Sequence, residues 1–530
     1  MCKLLLKSIQ QNFALFSSCA IFLIVLIIMF LKIRDNNDGQ FCYPLDDAFI
    51  HLSVAKHFVL DGVWGITSEE YGAASSSPFY TLLLAICIRF GFTSLLLPLW
   101  LNIGFSLALL IIVSRHLKHN GLSQLSTFFI LQGIIWFTPL FAMALIGMEH
   151  ILHLLFTVVL IRYAVHFCSS QTNWKKIIYL GFIAGLAILV RLESIFIVAA
   201  ICLLFIYQKK LKKSLLFGLT GMIPLVIAGV WSMMYGGHFL PNSILIKAIV
   251  DDGSFLQSLA KGELPAFLYF DSFQAPFRLV ISGIIILLLL WQFRFKGSVS
   301  HKVGWALFIW LITCILHLLN ARVGWLYRYE AWLIGSCIFV FGLVFGLQYR
   351  CKSFGLQKYH LLITLCLLLF FTCAFAPLVK RAKKAGSDTI MASTNIYEQQ
   401  FQMARFLTQY YDHEPIAAND VGAISFYGNN YIVDLWGLGN NEVALSKLKK
   451  KYTVGFLDSL CVEKGIKIAV IYDSWFPAEL RNKWLKVGSW RIFNNIICGD
   501  SNVSFYVTVP SAAPSLKKIY RALSRTFLKM

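Results

Sequence analysis

Two adjacent carboxylates stand in the first polar segment of the chain, directly after its first apolar run. Asp46 and Asp47 occur in the stretch YPLDDAFIH. Neighbouring acids disfavour one another's ionisation, which can raise the pKa of one of them toward the working range of a general base. The alternative is a helix N-cap, in which one aspartate accepts backbone N–H bonds before the amphipathic run that follows. The two functions are compatible, because a cap also holds a catalytic carboxylate in place.

A second group of ionisable residues interrupts long apolar runs. Glu149 stands in the stretch Gly-Met-Glu-His, and Arg191 and Glu193 flank a single leucine. Ionisable groups at membrane depth are costly, so they indicate a function, here substrate binding. The alternatives are an ordinary exposed turn around Glu149 and mutual neutralisation of Arg191 and Glu193.

Further polar residues fall in segments predicted to face the exterior. Glu70 and Ser76 belong to a stretch of small residues, which is either a flexible turn or a backbone-rich surface close to a sugar or phosphate. Lys247, Arg328 and Tyr329 lie further along the chain. A lipid phosphate would need cations of this kind, whereas snorkelling of the long side chains to the interface is the alternative. All five residues are predicted to bind substrate.

The composition places these residues in a membrane protein. Of 530 residues, 58% are hydrophobic and only 14% are charged, whereas soluble domains are about 25% charged. Apolar runs of the length that a bilayer core requires recur along the chain. The net charge of +21 lies largely in short loops, where Lys and Arg set the orientation. The sequence contains no Gly-rich phosphate loop and no zinc-spaced Cys/His set, and nucleic acid is not an expected partner.

The apolar runs predict about eleven membrane helices. The first run is too long for a signal peptide and lacks a cleavage site, so we expect it to be retained. The distribution of Lys and Arg predicts a cytoplasmic N-terminus. This gives a transmembrane domain at 1–379, with the first exterior loop at 35–78, and an extracytoplasmic domain at 380–530. The stretch around Arg191 could instead be one long helix, which would invert the later topology.

The C-terminal stretch has the pattern of an α/β domain. Short segments rich in β-branched and aromatic residues predict strands at 415–418, 423–426, 432–435, 466–472 and 503–509. Residues 397–410 and 442–448 have helical periodicity. Cys461 and Cys498 are candidates for a disulfide. The absence of eukaryotic retention signals favours a bacterial inner (cytoplasmic) membrane.

Taken in order, the motifs resemble the GT-C integral-membrane glycosyltransferases, and among them bacterial relatives of the mycobacterial arabinofuranosyltransferases. The chain differs from that pattern at Leu192, where relatives more often have proline, and at Trp436, where they more often have valine. The segments that carry the resemblance span most of the chain: DDAFI at 46–50, GAASSSP at 72–78, GME at 147–149, RLE at 191–193, PNS at 241–243, DVGAI at 420–424 and VDLWGL at 433–438.

The resemblance implies an enzyme that moves a sugar, with inversion, from a polyprenyl-phosphate donor to an envelope glycan or lipid acceptor on the extracytoplasmic side. It implies that an aspartate of the first loop is the general base. We expect Asp46, in preference to Asp47, to be that base, the other aspartate holding the acceptor or a divalent cation. Arg191, Lys247 and Arg328 would offset charge on the lipid phosphate.

Two other classes of protein are compatible with the membrane architecture. A lipid transporter or flippase is expected to have paired repeats and broken or charged helices near the bilayer midplane. A non-catalytic scaffold would bind envelope partners through its C-terminal domain. A double variant of Asp46 and Asp47 that behaves as wild type would favour the scaffold.

Overall fold

Alternating stretches of the chain form two compact units. The computed structural model describes residues 12–169, 173–250, 271–292, 298–353 and 357–509, with residue 514. The unit that we call the helical unit comprises Met1–Phe30, Pro98–Val226 and Asp252–Asp388. The other, the mixed unit, comprises Leu31–Leu97, Ile227–Asp251 and Thr389–Met530. The first predicted exterior loop and most of the C-terminal stretch thus belong to one unit.

Helices account for most of the chain before residue 397. In chain order the described ones are α1 (Phe13–Asn36), α2 (Asp46–Leu60), α3 (Pro78–Arg89), α4 (Leu97–His119), α5 (Gln124–Phe137), α6 (Leu140–Ile146), α7 (His150–Ser169), α8 (Trp174–Val190), α9 (Ser194–Tyr207), α10 (Leu211–Met234), α11 (Asn242–Val250), α12 (Asp271–Gln292), α13 (Ser298–Asn320), α14 (Ala331–Ser353) and α15 (Gln357–Ile396).

Several of these helices suit a bilayer. Within the described residues, five are long and apolar enough to cross a membrane, namely α1, α4, α10 and most of α7 and α13. Helices α5 and α6 together make a sixth candidate, bent by 43°. Shorter apolar helices occur within α3, α9, α12 and α14. The number of about eleven crossings stays a prediction.

The apolar stretch around Arg191 is two helices rather than one. Helix α8 ends at Val190, and Arg191 is extended, with φ −150° and ψ 126°. The Ala187 carbonyl accepts both the Arg191 N–H and the Ser194 hydroxyl at 2.9 Å. This contact closes one helix and begins the next, so the alternative of a single long helix is wrong.

The C-terminal part of the mixed unit contains a five-stranded sheet. Its strands have the order β2-β1-β3-β5-β4, with β1 parallel to β2 and β3, and β5 antiparallel to β3 and β4. This confirms a C-terminal α/β region. After a π-helical turn (Tyr397–Phe401), its elements are α16 (Gln402–Tyr410), β1 (Ile416–Ala418), α17 (Gly422–Tyr427), β2 (Ile432–Asp434), α18 (Asn441–Leu448), α19 (Val454–Glu463), β3 (Ile468–Tyr472), a 3-10 turn (Asp473–Trp475), α20 (Ala478–Lys483), β4 (Leu485–Arg491) and β5 (Asn502–Val507).

Four of the five predicted strands are confirmed, and so are both predicted helices. The strand predicted at 423–426 is wrong, because these residues form helix α17. The first N–H groups of this helix bind the Asp46 carboxyl group. Strand β4 was not predicted. It is mostly exposed at the edge of the sheet, and its pairing is irregular between Lys486 and Gly488, so it lacks an apolar alternation.

The sheet and its helices enclose an apolar core that includes Val433, Leu435 and Ile471. Burial of such side chains stabilises the fold by about 1.5–3 kcal/mol each. Cys461 is fully buried in this core, whereas the Cys498 thiol lies 3.4 Å from the Gln400 side-chain oxygen. Both cysteines are free, so the candidate disulfide is not formed.

Asn441 joins three separate segments of the mixed unit. Its amide nitrogen donates to the Tyr71 carbonyl at 2.9 Å, and its side-chain oxygen accepts from Asn242 Nδ2 at 2.8 Å. The Asn242 N–H in turn donates to the Ala73 carbonyl at 3.0 Å. The backbones are so close here that a Cβ on Gly72 would lie 2.3 Å from the Gly439 oxygen. Asn242 Nδ2 also donates to the Leu438 carbonyl at 3.2 Å, so the segments GAASSSP, PNS and VDLWGL meet at this point.

Glu70 ties the first loop to the sheet region. Its carboxylate accepts from the Tyr431 hydroxyl at 2.7 Å and from Lys464 Nζ at 2.8 Å. Partial burial raises the pKa of Glu70, but the Lys464 and Tyr431 hydrogen bonds outweigh it, and the resulting pKa is below the usual 4.5. Glu70 therefore favours the folded state when it is ionised.

A methyl group at Gly72 should force these segments apart. We expect Gly72→Ala to lower the free energy of unfolding by about 1–3 kcal/mol, because the neighbour is backbone and cannot rotate away. The matched control is Gly455→Ala in α19, where a new Cβ would meet only the Thr453 hydroxyl oxygen, at 4.0 Å, outside the backbone of its own helix. Thermal unfolding of both variants in detergent tests this, and equal midpoints would contradict the close contact.

The Glu70 contact also makes stability depend on pH. A lowered pKa in the folded state contributes stability above the unfolded pKa, and this is lost as the pH falls through the folded pKa. We expect Glu70→Gln to lower the thermal midpoint by roughly 1–3 °C at pH 7, a small effect because the pair is partly exposed. The difference from wild type should shrink as the pH falls below 4.5 and through the folded pKa of Glu70. Glu69→Gln is the control, and a difference independent of pH would contradict the ionic contribution.

Candidate active site

The Asp46 carboxyl group binds the backbone of the C-terminal region. Its Oδ2 accepts the Gly422 N–H at 2.6 Å, and its Oδ1 accepts the Ala423 N–H at 2.8 Å. Asp46 is the first residue of α2, where Leu45 is the N-cap residue and no side chain caps the helix. Asp46 is thus a cap, but for helix α17 and not for its own helix.

Gly422 allows this approach because it has no side chain. A Cβ at this position would lie 2.1 Å from the Asp46 carbonyl oxygen and 2.7 Å from its Oδ2. Asp46 itself is only 7% exposed. The glycine of the segment DVGAI is therefore required by a backbone contact with the segment DDAFI.

A second carboxyl group, Asp420, completes the cluster. Its Oδ2 accepts from Gln400 Nε2 at 2.6 Å and lies 2.8 Å from the Tyr472 hydroxyl. The same hydroxyl lies 2.6 Å from the side-chain oxygen of Gln399. Tyr472 has one proton for these two acceptors, so it donates to one of them at a time. Both glutamines come from the π-helical turn, a feature that is frequent at functional sites.

The pKa values of Asp46 and Asp420 are both raised. Burial, and then the charge of Asp420, raise the pKa of Asp46 well above its usual value, although the two backbone N–H donors oppose this. Partial burial also raises the pKa of Asp420, although hydrogen bonds from Gln400 and Tyr472 oppose this. Carboxylates so close repel each other when both are ionised, which disfavours the doubly charged state.

Asp47 is the third acid of the cluster. It is half-buried, and its charge acts on both Asp46 and Asp420. The predicted divalent cation at Asp46 and Asp47 stays a prediction, since each Asp46 oxygen that accepts an N–H bond keeps a second lone pair. Among the residues that the structure describes, no group of three or more His, Cys, Asp or Glu side chains is arranged to hold a metal ion.

The small-residue stretch contains a buried polar network. His51 Nδ1 lies 2.9 Å from the Thr81 hydroxyl and 3.1 Å from that of Ser75, and the two hydroxyls are 2.7 Å apart. Ser76, the predicted binding residue, is half-buried beside this network. Hydrogen bonds therefore hold this stretch in place. The alternative of a flexible turn does not fit this arrangement.

In the helical unit, Arg191 lies between two carboxylates. It donates to Glu149 Oε1 at 3.0 Å and to Glu193 Oε2 at 3.2 Å. Glu149 is fully buried next to the helix-ending Gly147, which has a φ of 73°. Arg191 and Glu193 therefore neutralise each other, as one of the alternatives predicted. Glu149 is a second acid bound to the same guanidinium. Breaking such a buried set is expensive, about 3–5 kcal/mol.

Tyr329 lies within cation–π distance of two guanidinium groups. The Arg191 and Arg328 carbons are 5.4 and 4.9 Å from its ring centre. Arg328 is 2% exposed, donates to the Tyr329 hydroxyl at 3.1 Å and contacts the Met148 sulfur at 2.8 Å. The substrate-binding residues predicted at 149, 191, 193, 328 and 329 are therefore brought together in one place.

An unusual backbone segment presents Arg328. Trp325, Leu326 and Tyr327 all have positive φ, at 48°, 57° and 65°, and such left-handed residues cost roughly 1–2 kcal/mol each. Arg381 donates to the Tyr327 carbonyl and pairs with the fully buried Glu330. These contacts hold the strained turn, and the sequence offered no sign of Arg381 as their donor.

Two predicted binding residues remain, Glu70 and Lys247. Glu70 forms an ion pair with Lys464, and the side chain of Lys247 is outside the described residues. The residues that the sequence analysis missed are Asp420, Gln400 and Tyr472. Asp420 begins one of the segments that carry the resemblance, so that segment was the available signal.

Comparison with known proteins places the fold. A family model described as a domain of unknown function (DUF8728) matches residues 394–506. No curated protein matches the sequence. The chain is similar to ArnT from Cupriavidus metallidurans bound to undecaprenyl phosphate, at 12% identity and a TM-score of 0.50, covering 93% of this chain and 98% of that chain. It is also similar to the oligosaccharyltransferase AglB from Archaeoglobus fulgidus, in complex with an inhibitory peptide and a dolichol-phosphate, at 12% identity and a TM-score of 0.46, covering 92% and 74%.

The similarity to ArnT extends over nearly the whole of both chains. The protein is mostly helical, with several apolar helices and a small C-terminal sheet, and it is similar in fold to the GT-C membrane enzymes. The prediction of a mostly helical chain with a C-terminal α/β region is confirmed, whereas the eleven crossings and the closer likeness to arabinofuranosyltransferases stay predictions.

Proposed function

We propose that the chain is a glycosyltransferase of the bacterial inner membrane. It moves a sugar from a polyprenyl-phosphate carrier to an envelope glycan or lipid acceptor on the extracytoplasmic side, where its C-terminal region lies. The observation that carries this proposal is the match in fold, over 93% of this chain, to ArnT, a protein that was crystallised with undecaprenyl phosphate. The cluster of three acids in the mixed unit supplies groups for proton transfer from an acceptor hydroxyl.

Asp47 is the general base of the proposed reaction. The hydroxyl proton of the acceptor passes to the Asp47 carboxylate as the oxygen forms a bond to the anomeric carbon. The bond from that carbon to the phosphate oxygen breaks, and its electron pair leaves with the lipid phosphate. Attack opposite the leaving group inverts the configuration.

The contacts favour Asp47 over Asp46, the residue preferred from the sequence. Asp46 is buried, and both of its oxygens accept backbone N–H bonds. These two bonds hold the Asp46 oxygens against the backbone of α17, so they are poorly placed to accept a proton from an acceptor hydroxyl. Asp47 is half-buried and lies in the first turn of α2, where the helix N-terminus favours the anionic form. Asp46 is thus a positioning residue that fixes its neighbour.

The donor phosphate is bound by cations. Arg191 is already balanced by Glu149 and Glu193, so its main part is to hold those acids and Tyr329. Arg328 lies against the Tyr329 hydroxyl and the Met148 sulfur, and we assign it the direct contact with the phosphate, because a planar guanidinium matches the geometry of phosphate oxygens.

Exchange of the proposed base should separate chemistry from folding. We expect Asp47→Asn to lower transfer from a panel of radiolabelled polyprenyl-phosphate sugars by about 10²–10⁴-fold, with an unchanged thermal midpoint. Asp46→Asn should lower both, because an amide NH₂ would face a backbone N–H. Asp61→Asn, at the other end of α2, is the control. If Asp47→Asn transferred sugar at the wild-type rate, Asp47 would not be the base. If an Asp46/Asp47 double variant did so, the result would favour the transporter and scaffold alternatives.

Removal of the proposed phosphate ligand should act on the donor. We expect Arg328→Gln to raise the KM for the polyprenyl-phosphate sugar by roughly tenfold or more, because a charge-assisted contact is lost. The KM for the acceptor should change little. The exposed Arg322, in the same segment, provides the control variant Arg322→Gln. Equal donor KM values for Arg328→Gln and wild type would contradict the assignment.

A further inference from the structure

Two tryptophans form a half-exposed aromatic pair in the mixed unit. The ring centres of Trp436 and Trp475 are 4.6 Å apart, and the planes are tilted by 50°. Both side chains are only partly buried, although neighbouring core residues such as Leu435 and Ile471 are fully buried. Two adjacent indoles that are not fully buried are costly to leave in water and are typical of binding surfaces.

The aromatic pair is continuous with the acid cluster. The Trp475 ring centre is 5.2 Å from that of Tyr472, and the Tyr472 hydroxyl is 2.8 Å from Asp420 Oδ2. Tyr472 is itself buried, at 2% exposure. One side chain therefore separates the open indoles from the carboxyl groups that include the proposed base.

Both indoles are held rigidly from behind. Lys447 Nζ lies 3.4 Å from the centre of the Trp436 ring and 4.6 Å from that of Tyr452. This ammonium is buried and has no hydrogen-bond acceptor among the described residues, so the aromatic faces are its principal partners. On the other side, a Cβ on Gly499 would lie 2.4 Å from the Trp475 ring, and only glycine leaves room for it. A surface fixed in this way loses little entropy on binding.

We propose that Trp436 and Trp475 are the acceptor subsite and that they bind a saccharide ring, with Asp420 as hydrogen-bond acceptor for one of its hydroxyls. This inference rests on the proposed function and names the acceptor class as a glycan. A pyranose or furanose ring has an apolar C–H face that stacks on an indole and a rim of hydroxyls that donate to a carboxylate. Half-buried indoles close to the half-buried Asp420 carboxyl match both features. An acyl chain would use the indoles but not the carboxyl.

Binding of sugars by the full chain in detergent micelles tests the subsite without any donor. The probes are maltotriose, xylotriose and chitotriose, and their binding is measured by saturation-transfer NMR titration. We expect at least one of them to bind wild type and to bind Trp475→Ala about five- to tenfold more weakly, because a stacked ring is lost. Trp475→Phe should restore most of the affinity. Phe493→Ala, which removes a 73% exposed ring elsewhere in the unit, is the control.

The same variants separate this inference from the proposed function. In the transfer assay, Trp436→Ala and Trp475→Ala should raise the acceptor KM with little change in kcat, whereas the donor KM stays constant. Sugar binding that depends on the two tryptophans, in a wild-type protein that transfers nothing, would uphold the subsite and overturn the transferase. Equal sugar binding by wild type and Trp475→Ala, binding by neither, or an unchanged acceptor KM would overturn the subsite and leave the transferase standing.

Discussion

The mixed unit depends on a carboxyl group that binds two backbone N–H groups 376 and 377 residues further along the chain. Asp46 supplies the acceptor atoms and Gly422 supplies the space, so neither segment can change alone. Helix α17 has six residues, too few to be stable by itself. Its first turn exists because the first loop caps it, and the first loop is held because this cap is buried. The acid cluster is thus a product of the same contact.

Acids placed this close together repel one another when all are ionised. Burial and the charge of Asp420 raise the pKa of Asp46, and the two amide side chains of the π-helical turn lie beside Asp420 and Tyr472. A connected polar network of this kind is rigid, because loss of any member leaves a buried group without its partner. We assign the chemistry to Asp47, which is half-buried, whereas Asp46 is buried and accepts two backbone N–H bonds. The division explains how two adjacent aspartates can serve different purposes.

In the helical unit, buried acids are neutralised by ion pairs. Arg191 pairs with two glutamates. Arg381 pairs with Glu330 and also donates to the left-handed turn before Arg328. These pairs cost desolvation energy and contribute little net stability, so their value lies in position. They fix Tyr329 and Arg328, the groups to which we assign the donor phosphate. Precise placement of a few cations is what phosphate recognition needs.

The sequence by itself determined the apolar helices, the ionisable residues at their ends, most strands of the C-terminal sheet and the order of the motifs, because all of these are periodic or local patterns. It also determined the segments that form the mixed unit's contacts. These are DDAFI, GAASSSP, PNS, DVGAI and VDLWGL, which all lie in that unit. Only the tertiary structure decided that 423–426 is a helix, that Asp46 is bound and Asp47 is not buried with it, and that Asp420 and Tyr472 join the site. The physical reason is that hydrogen bonds between segments hundreds of residues apart, and the burial that goes with them, leave no periodic trace in either segment.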